Sequence, residues 1–421
     1  MRRMKNSGIE WVGEIPVGWT IKPIRAEFEE VTKKNTTGEV NNALKFTYGN
    51  IVRKENFDAD EDSYVADTIL NYTVVSPGTI MLNGLNLNFD FVSQRIGLVR
   101  EVGVITSAYT AFKPISNRIL PEYATYLFKA YDGCKAFHNM GGGVRKILNF
   151  SELKRHYIFY PELSKQKEIV DYLDEKCVEI EILLSDVQAQ IEILEQYKRS
   201  VITETVTKGK NLDVEMKDSG VQWIGDMPAH WECNRGKYIL KYIQKPVRED
   251  DGVITCFRDG EVTLRSNRRE DGFTMSDKEI GYQGIDVGDL VVHGMDGFAG
   301  AIGISDSRGK ASPVLNVLDT EQNKKYIMYY LRSMAYSDVF VALATGIRVR
   351  SCDLRWNKLA ELSYPVPPIE EQNTIVEYID EVLNKTNAVI ADKKAQLEIL
   401  ENYKKSLIYE YVTGKKEVPV Q

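Results

Sequence analysis

Two basic loops carry the side chains best suited to contact a phosphate or a base. The first begins "GGGVRKILNF" at Gly141 and the second begins "GIRVRSCDLR" at Gly346. Each has four basic residues against one acidic residue: Arg145, Lys146, Lys154 and Arg155 in the first, and Arg348, Arg350, Arg355 and Lys358 in the second. Glycine lets a backbone approach a phosphate closely, and arginine can bind guanine O6 and N7 together. The loops therefore favour nucleic-acid contact, although an ordinary solvated basic loop stays open.

Two polar side chains follow strand-like runs that correspond to each other. Asn83 is the last residue but one of "VVSPGTIMLNG" (74–84), and His293 has the matching place in "GIDVGDLVVHG" (284–294). From the end of a strand, either side chain can reach a base edge. A hydrogen bond within the local loop is an equally good explanation, so this alternative also stays open.

The elements that must position these residues occur twice. "PELSKQKEIVDYLDEK" from Pro161 returns as "PPIEEQNTIVEYIDEV" from Pro367, and both runs continue for some forty residues without glycine or proline. Apolar residues then recur at alternating steps of three and four, which predicts coiled-coil helices. Each run ends at a glycine and lysines, as helix C-termini commonly do.

A tryptophan motif also occurs twice, as "SGIEWVGEIPVGW" (7–19) and "SGVQWIGDMPAHW" (219–231). Aromatic rings can stack on bases, but large aromatic side chains are usually buried. We therefore favour a structural latch, which ties each half of the chain to the same frame.

The repeats divide the chain into six segments, and the two variable blocks show short strand-like and helix-like runs that predict α/β domains with a mixed sheet. The predicted segments are a motif (1–19), a block (20–160), a central helix (161–209), a linker with the second motif (210–231), a second block (232–366) and a C-terminal helix (367–421). Near-identical helices with dissimilar blocks suggest that the helices form a common scaffold and that the two blocks have different binding specificities.

Composition narrows the function further. The net charge is -7, and the chain contains four histidines and no run of apolar residues long enough to span a membrane. No phosphate-binding glycine loop, zinc-protease helix or dinucleotide fingerprint is found. We expect a cytoplasmic protein without catalytic residues or a metal site.

The sequence resembles the specificity subunit of type I restriction-modification systems. The resemblance rests on the doubled tryptophan motif, the helix start "PPIEEQ", the helix end "LEILENYKKSLIYEYVTGK" and the junction "GKNLDVEMKDSGVQWIGDMPAHW". The sequence departs from the usual pattern at Ser164 and Lys165, where the second copy has Glu370 and Glu371. The resemblance implies two pseudo-repeated α/β target recognition domains, separated by two long antiparallel coiled-coil helices.

The resemblance also implies partners. Each recognition domain would read one half of a split double-stranded DNA target, and the helices would set the spacer and dock two methyltransferase subunits. S-adenosylmethionine would bind to the methyltransferase, ATP and Mg²⁺ would bind to motor-nuclease subunits, and this chain would bind no cofactor. The rival hypothesis is a coiled-coil scaffold whose paired domains bind proteins or glycans instead of DNA.

Overall fold

The structure, a computed structural model, describes residues 2–54, 69–88, 94–142, 146–211, 213–268, 280–343 and 354–419. It divides into two units. Unit 1 comprises Met1–Val187 with Ala395–Gln421, and unit 2 comprises Gln188–Lys394. Each unit therefore combines one variable block with the beginning of one long helix and the end of the other.

The described strands are short. In chain order they are β1 (Met4–Asn6), β2 (Glu14–Pro16), β3 (Thr20–Pro23), β4 (Phe28–Glu30), β5 (Leu44–Thr47), β6 (Asn50–Arg53), β7 (Thr73–Val75), β8 (Ile80–Leu82), β9 (Ile96–Leu98), β10 (Gly103–Ile105), β11 (Thr110–Pro114), β12 (Tyr157–Tyr160), β13 (Met216–Asp218), β14 (Asp226–Pro228), β15 (Glu232–Arg235), β16 (Lys241–Ile243), β17 (Ile254–Cys256), β18 (Val262–Leu264), β19 (Gln283–Ile285), β20 (Leu290–His293), β21 (Ile302–Ile304), β22 (Gly309–Ala311), β23 (Leu315–Asp319) and β24 (Ser363–Val366).

The helices include two that are far longer than the rest. They are α1 (Pro121–Gly133), α2 (Phe150–Leu153), α3 (Leu163–Lys208), α4 (Gly236–Ile239), α5 (Lys324–Tyr336), α6 (Val339–Ala342), α7 (Trp356–Leu359) and α8 (Ile369–Val412). No helix among the described residues is long and apolar enough to cross a membrane.

Each unit is built on a four-stranded sheet of the same design. The strand order is β4-β11-β8-β9 in unit 1 and β16-β23-β20-β21 in unit 2. The prediction of a mixed sheet was wrong for these sheets, because their strands pair antiparallel throughout. Antiparallel strands can pair without the crossover connection, usually a helix, that parallel strands need. Parallel pairs described elsewhere are isolated bridges, such as that between Val253 and Lys310.

The helices α1 and α5 begin with different signals and make the same contacts. Pro121 opens α1, where its fixed φ suits the first turn, and the Asn323 side chain caps α5 by accepting from Lys325 N at 2.9 Å. The Tyr123 hydroxyl donates to Val412 O at 3.1 Å, and the Tyr326 hydroxyl donates to Val206 O at 3.0 Å. Each block is thereby bonded to the end of a long helix.

The long helices run antiparallel within each unit. In unit 1, Tyr172 near the start of α3 contacts Tyr411 near the end of α8, with ring centroids 4.6 Å apart. Further along α3, Glu181 accepts from Lys404 at 2.6 Å. In unit 2, Ile375 and Ile379 from the start of α8 pack in one core with Val206 from the end of α3. The predicted fold class is confirmed.

The tryptophan motifs are latches, as their burial shows. Trp19 is 3% exposed and Trp231 is completely buried. Gly414, beyond the end of α8, lies against Trp19 and Pro16, and Gly209, beyond the end of α3, lies against Trp231 and Pro228. Each motif therefore packs against the end of a long helix in its own unit.

Candidate nucleic-acid interface

In unit 1 the turn after β8 is bonded to the first basic loop. Leu148 N donates to Gly84 O at 2.9 Å, and Leu87 N donates to Lys146 O at 3.2 Å. A side chain at position 84 would overlap the carbonyl of Leu148, so only glycine permits this approach. The turn after Asn83 and the loop that contains Lys146 are therefore adjacent.

The rest of the first loop continues into the short helix α2. Asn149 and Glu152 form a capping box that fixes the start of this helix. Lys154 and Arg155 follow it and are exposed, as is Lys146. The predicted contact Arg145 lies outside the described residues.

Asn83 is half-buried and belongs to a turn that a buried arginine stabilises. Its Oδ1 accepts from Leu85 N at 3.3 Å, which is the local hydrogen bond considered above. Arg95, 1% exposed, donates through Nη1 to the carbonyl oxygens of Asn83 and Leu85 at 2.9 and 2.8 Å. No local sequence pattern indicates Arg95, because its role depends on a turn that begins twelve residues earlier.

Unit 2 repeats this arrangement with different side chains. Leu354 N donates to Gly294 O at 2.8 Å, which matches the bond between Leu148 and Gly84. Asn316 Nδ2 donates to Val292 O at 3.1 Å and to Leu354 O at 3.0 Å, so it connects the end of β20 to the second loop. As a result, Arg355 lies beside Gly294, the residue that follows His293.

The second loop is described only in part. Arg355 and Lys358 lie on either side of the start of α7 and are exposed. Arg348 and Arg350 lie outside the described residues. The net positive charge predicted for this loop therefore rests partly on residues without a described position.

His293 has a defined tautomer. Its Nδ1 accepts from Asp296 N at 2.9 Å and from Met295 N at 3.2 Å, so the proton is on Nε2. Burial lowers the pKa of His293, and this effect outweighs the opposing influence of Asp296. At neutral pH the ring is therefore uncharged and offers Nε2–H as a donor, which suits a base acceptor better than a phosphate.

Three arginines share an open cavity with His293. The cavity has a volume of about 770 Å³ and is lined by Arg258, Arg265 and Arg268 as well as His293. The Arg268 guanidinium lies 4.2 Å from the centroid of Phe257 and bonds Asp259 Oδ2 at 2.5 Å. Burial opposes ionisation of Asp259, but the hydrogen bond and charge of Arg268 together with backbone hydrogen bonds outweigh burial, and the pKa of Asp259 is lowered. Arg268 is thus fixed in place.

We did not single out these arginines from the sequence. The signal was their density, since "CFRDGEVTLRSNRR" contains four arginines within twelve residues, of which Arg269 lies outside the described part. The intervening acidic residues hid this signal. Among the described residues, no group of three or more His, Cys, Asp or Glu side chains could bind a metal ion.

Comparisons with known proteins agree with this architecture. Residues 22–192 match the family model described as "Type I restriction modification DNA specificity domain". A protein of Methanocaldococcus jannaschii, assigned by name as the type I restriction enzyme MjaX specificity subunit, is 22% identical over 96% of this chain and 95% of its own length.

One solved structure shows a similar fold. A chain from a structure described as the structural basis of complex assembly and conformational transition of the type I R-M system has a TM-score of 0.66 at 13% identity, over 96% of this chain and 99% of that chain. The HsdS subunit from Thermoanaerobacter tengcongensis has a TM-score of 0.48 at 14% identity, over 96% and 98% of the two chains. The resemblance predicted from the sequence is confirmed, since residues 22–192 match the model of the type I restriction-modification DNA specificity domain.

Proposed function

We propose that this chain is the DNA-reading subunit of a type I restriction-modification complex. Each variable block reads one half of a bipartite target, and the chain itself catalyses no reaction. One observation carries the proposal: in both units, the glycine that follows the polar candidate residue accepts the same backbone hydrogen bond from the basic loop, from Leu148 to Gly84 and from Leu354 to Gly294. The family match and the relative of similar length favour this function over a scaffold that does not bind DNA.

The candidate residues divide by chemistry. Asn83 and neutral His293 suit base edges, while the exposed Lys146, Lys154 and Arg155 of unit 1 suit phosphates. In unit 2 the exposed Arg355 and Lys358 have the same role, and we add the cavity residues Arg258, Arg265 and Arg268. Arg145, Arg348 and Arg350 remain proposed contacts on sequence grounds.

The partners follow from the same proposal. Two methyltransferase subunits would bring S-adenosylmethionine, and motor-nuclease subunits would bring ATP and Mg²⁺. The complex would act in the cytoplasm, where its DNA is found, and the two long helices would set the unread spacer.

An apolar pair repeated on both long helices supports docking of two identical partners. Ile193 and Tyr197 on α3 are 63% and 48% exposed, and Ile399 and Tyr403 on α8 are 67% and 54% exposed. These pairs lie four residues apart, hence on one helix face. Since the variable blocks differ while this pair is retained, we assign each pair to one methyltransferase subunit.

DNA retardation by the chain with its methyltransferase partner tests the function. We expect sequence-specific binding whose affinity falls with salt. If all eight basic candidates of the two loops contacted phosphates, the slope of log K against log salt would approach about -7. A duplex with one half-site scrambled is the matched control. Equal affinity for both duplexes, or binding that ignores salt, would favour the scaffold hypothesis.

A further inference from the structure

The helices α1 and α5 can be compared position by position. The Tyr126 hydroxyl donates to Asp174 at 2.6 Å, and Tyr329 makes the matching bond to Asp380. Before each helix, a backbone N–H donates to a glutamine, Leu120 N to Gln166 and Asn323 N to Gln372, both at 2.9 Å. A residue of α1 therefore corresponds to the residue of α5 that is 203 positions later.

The two helices differ where they end. In unit 2 the last residue is Tyr336, and the guanidinium of Arg199 lies over its ring at 5.4 Å. In unit 1 the corresponding residue is Gly133, where an added Cβ would meet nothing within 4 Å. The counterpart of Arg199 in the repeat is Lys405. Unit 1 thus lacks the aromatic ring that unit 2 has between helix and cation.

A cavity of about 410 Å³ occupies this region of unit 1. Its lining includes the cations Lys129, Lys135, Lys404 and Lys405, the carboxylate Glu401, and Tyr48 and Ile408. This volume is within the range of small-molecule sites. Because Lys404 already bonds Glu181 and the charge of Lys135 already acts on Asp132, Lys129 and Lys405 are the cations to which the binding of an anion would add most.

A buried carboxylate completes the wall. Asp132 is 7% exposed, and its Oδ2 accepts from Arg95 N at 2.8 Å, while Oδ1 accepts no hydrogen bond in the described part of the chain. The corresponding residue in unit 2 is Ala335. Burial raises the pKa of Asp132, and burial together with the nearby charge of Lys404 lowers the pKa of Lys129. A carboxylate oxygen without a hydrogen-bond partner among the described residues and several cations therefore line one cavity.

We propose that this cavity binds a purine nucleotide. The base would take the space that the Tyr336 ring has in unit 2, its exocyclic amine would donate to Asp132, and its phosphate would contact Lys129 and Lys405. Adenine and guanine both have a planar purine ring and an exocyclic amine, so the proposal includes nucleotides of either base. Because the lining residues come from α1, α8 and the turn before β6, binding would strengthen the contact of the first block with α8.

Calorimetric titration of the full-length chain with AMP, GMP and inorganic phosphate tests the proposal. We expect at least one purine nucleotide to bind about tenfold or more tightly than phosphate. Equal binding of phosphate and both nucleotides would reduce the site to a cluster of cations and overturn the proposal, as would no binding at all.

Two variants locate the site. Gly133→Tyr restores the ring found in unit 2 and should reduce nucleotide affinity about tenfold or more while the chain stays folded, because the position is open. Lys405→Met, at an exposed position, should weaken the binding of AMP or GMP and leave the melting temperature of the protein unchanged. Tyr336→Gly is the matched control and should create no second site, since Ala335 offers no carboxylate. Unchanged affinity in both Gly133→Tyr and Lys405→Met would place the nucleotide elsewhere.

Discussion

Substitution of the glycine beyond α8 probes the latch between the first tryptophan motif and the helix. Gly414 has φ +68°, a region that costs other residues about 1 kcal/mol or more. A Cβ there would also lie 2.6 Å from Pro16 Cγ and 2.8 Å from Trp19 Cζ2, both in rigid rings. Overpacking of this kind costs about 1 to 3 kcal/mol. We therefore expect Gly414→Ala to destabilise unit 1 by about 3 kcal/mol.

Two other glycines separate the conformational cost from the steric cost. Gly13 has φ +69° and nothing within 4 Å of an added Cβ, so Gly13→Ala should cost about 1 kcal/mol. Gly209 has φ +78° and a nearest contact of 3.2 Å to Trp231, so its cost should be intermediate. Calorimetric unfolding of the three variants gives the order. If Gly414→Ala were no worse than Gly13→Ala, the motif would not be packed against the helix end as we describe.

Four further predictions concern binding and stability. Arg355→Ala should weaken binding by the same factor whichever half-site is altered and should reduce the salt slope of log K by about 1, measured by fluorescence anisotropy, because this residue contacts a phosphate; a loss confined to one half-site sequence would assign it to a base. Ile399→Glu should release one of two methyltransferase subunits, measured by the mass of the complex, and release of neither would move the docking site. Tyr326→Phe should cost about 1 to 2 kcal/mol in urea unfolding, because the carbonyl oxygens of Val206 and Pro365 lose the one hydroxyl proton that they share; no cost would mean that water replaces it. Hydrogen bonds from Lys245 and Arg308 lower the pKa of Asp286 to about 2, so its stabilisation should be present above pH 3.8 and disappear as the pH falls through about 2. The melting temperature of Asp286→Asn should vary less over that interval than that of the parent chain, and identical curves would contradict this assignment.

The long helices were predictable because their signal is local. Runs without glycine or proline from Pro161 and Pro367 became α3 and α8, which begin two residues after these prolines. The burial of Trp19 and Trp231 could also be predicted, since large aromatic rings are rarely left in water. The boundary between the units could not, because each long helix contributes one end to each unit and no residue marks the change.

The site was predictable only where it repeats. Asn83 and His293 were candidates because they occupy matching places in corresponding strand segments, whereas Arg95 and Asn316 form bonds across sequence distances that no local pattern reports. The cavity beside Gly133 is a further example. A glycine at a helix end suggests a cap, and only comparison with Tyr336 shows the space that it leaves.

The central claim, that each block reads its own half-site, is tested most directly by exchange of one block. Residues 20–160 would be replaced by the corresponding block of a relative, and the methylated motif would be sequenced in cells that express the chain with its partners. Our account predicts that one half of the motif changes while the other half and the spacer stay the same. A change in both halves would show that the two blocks do not read DNA independently.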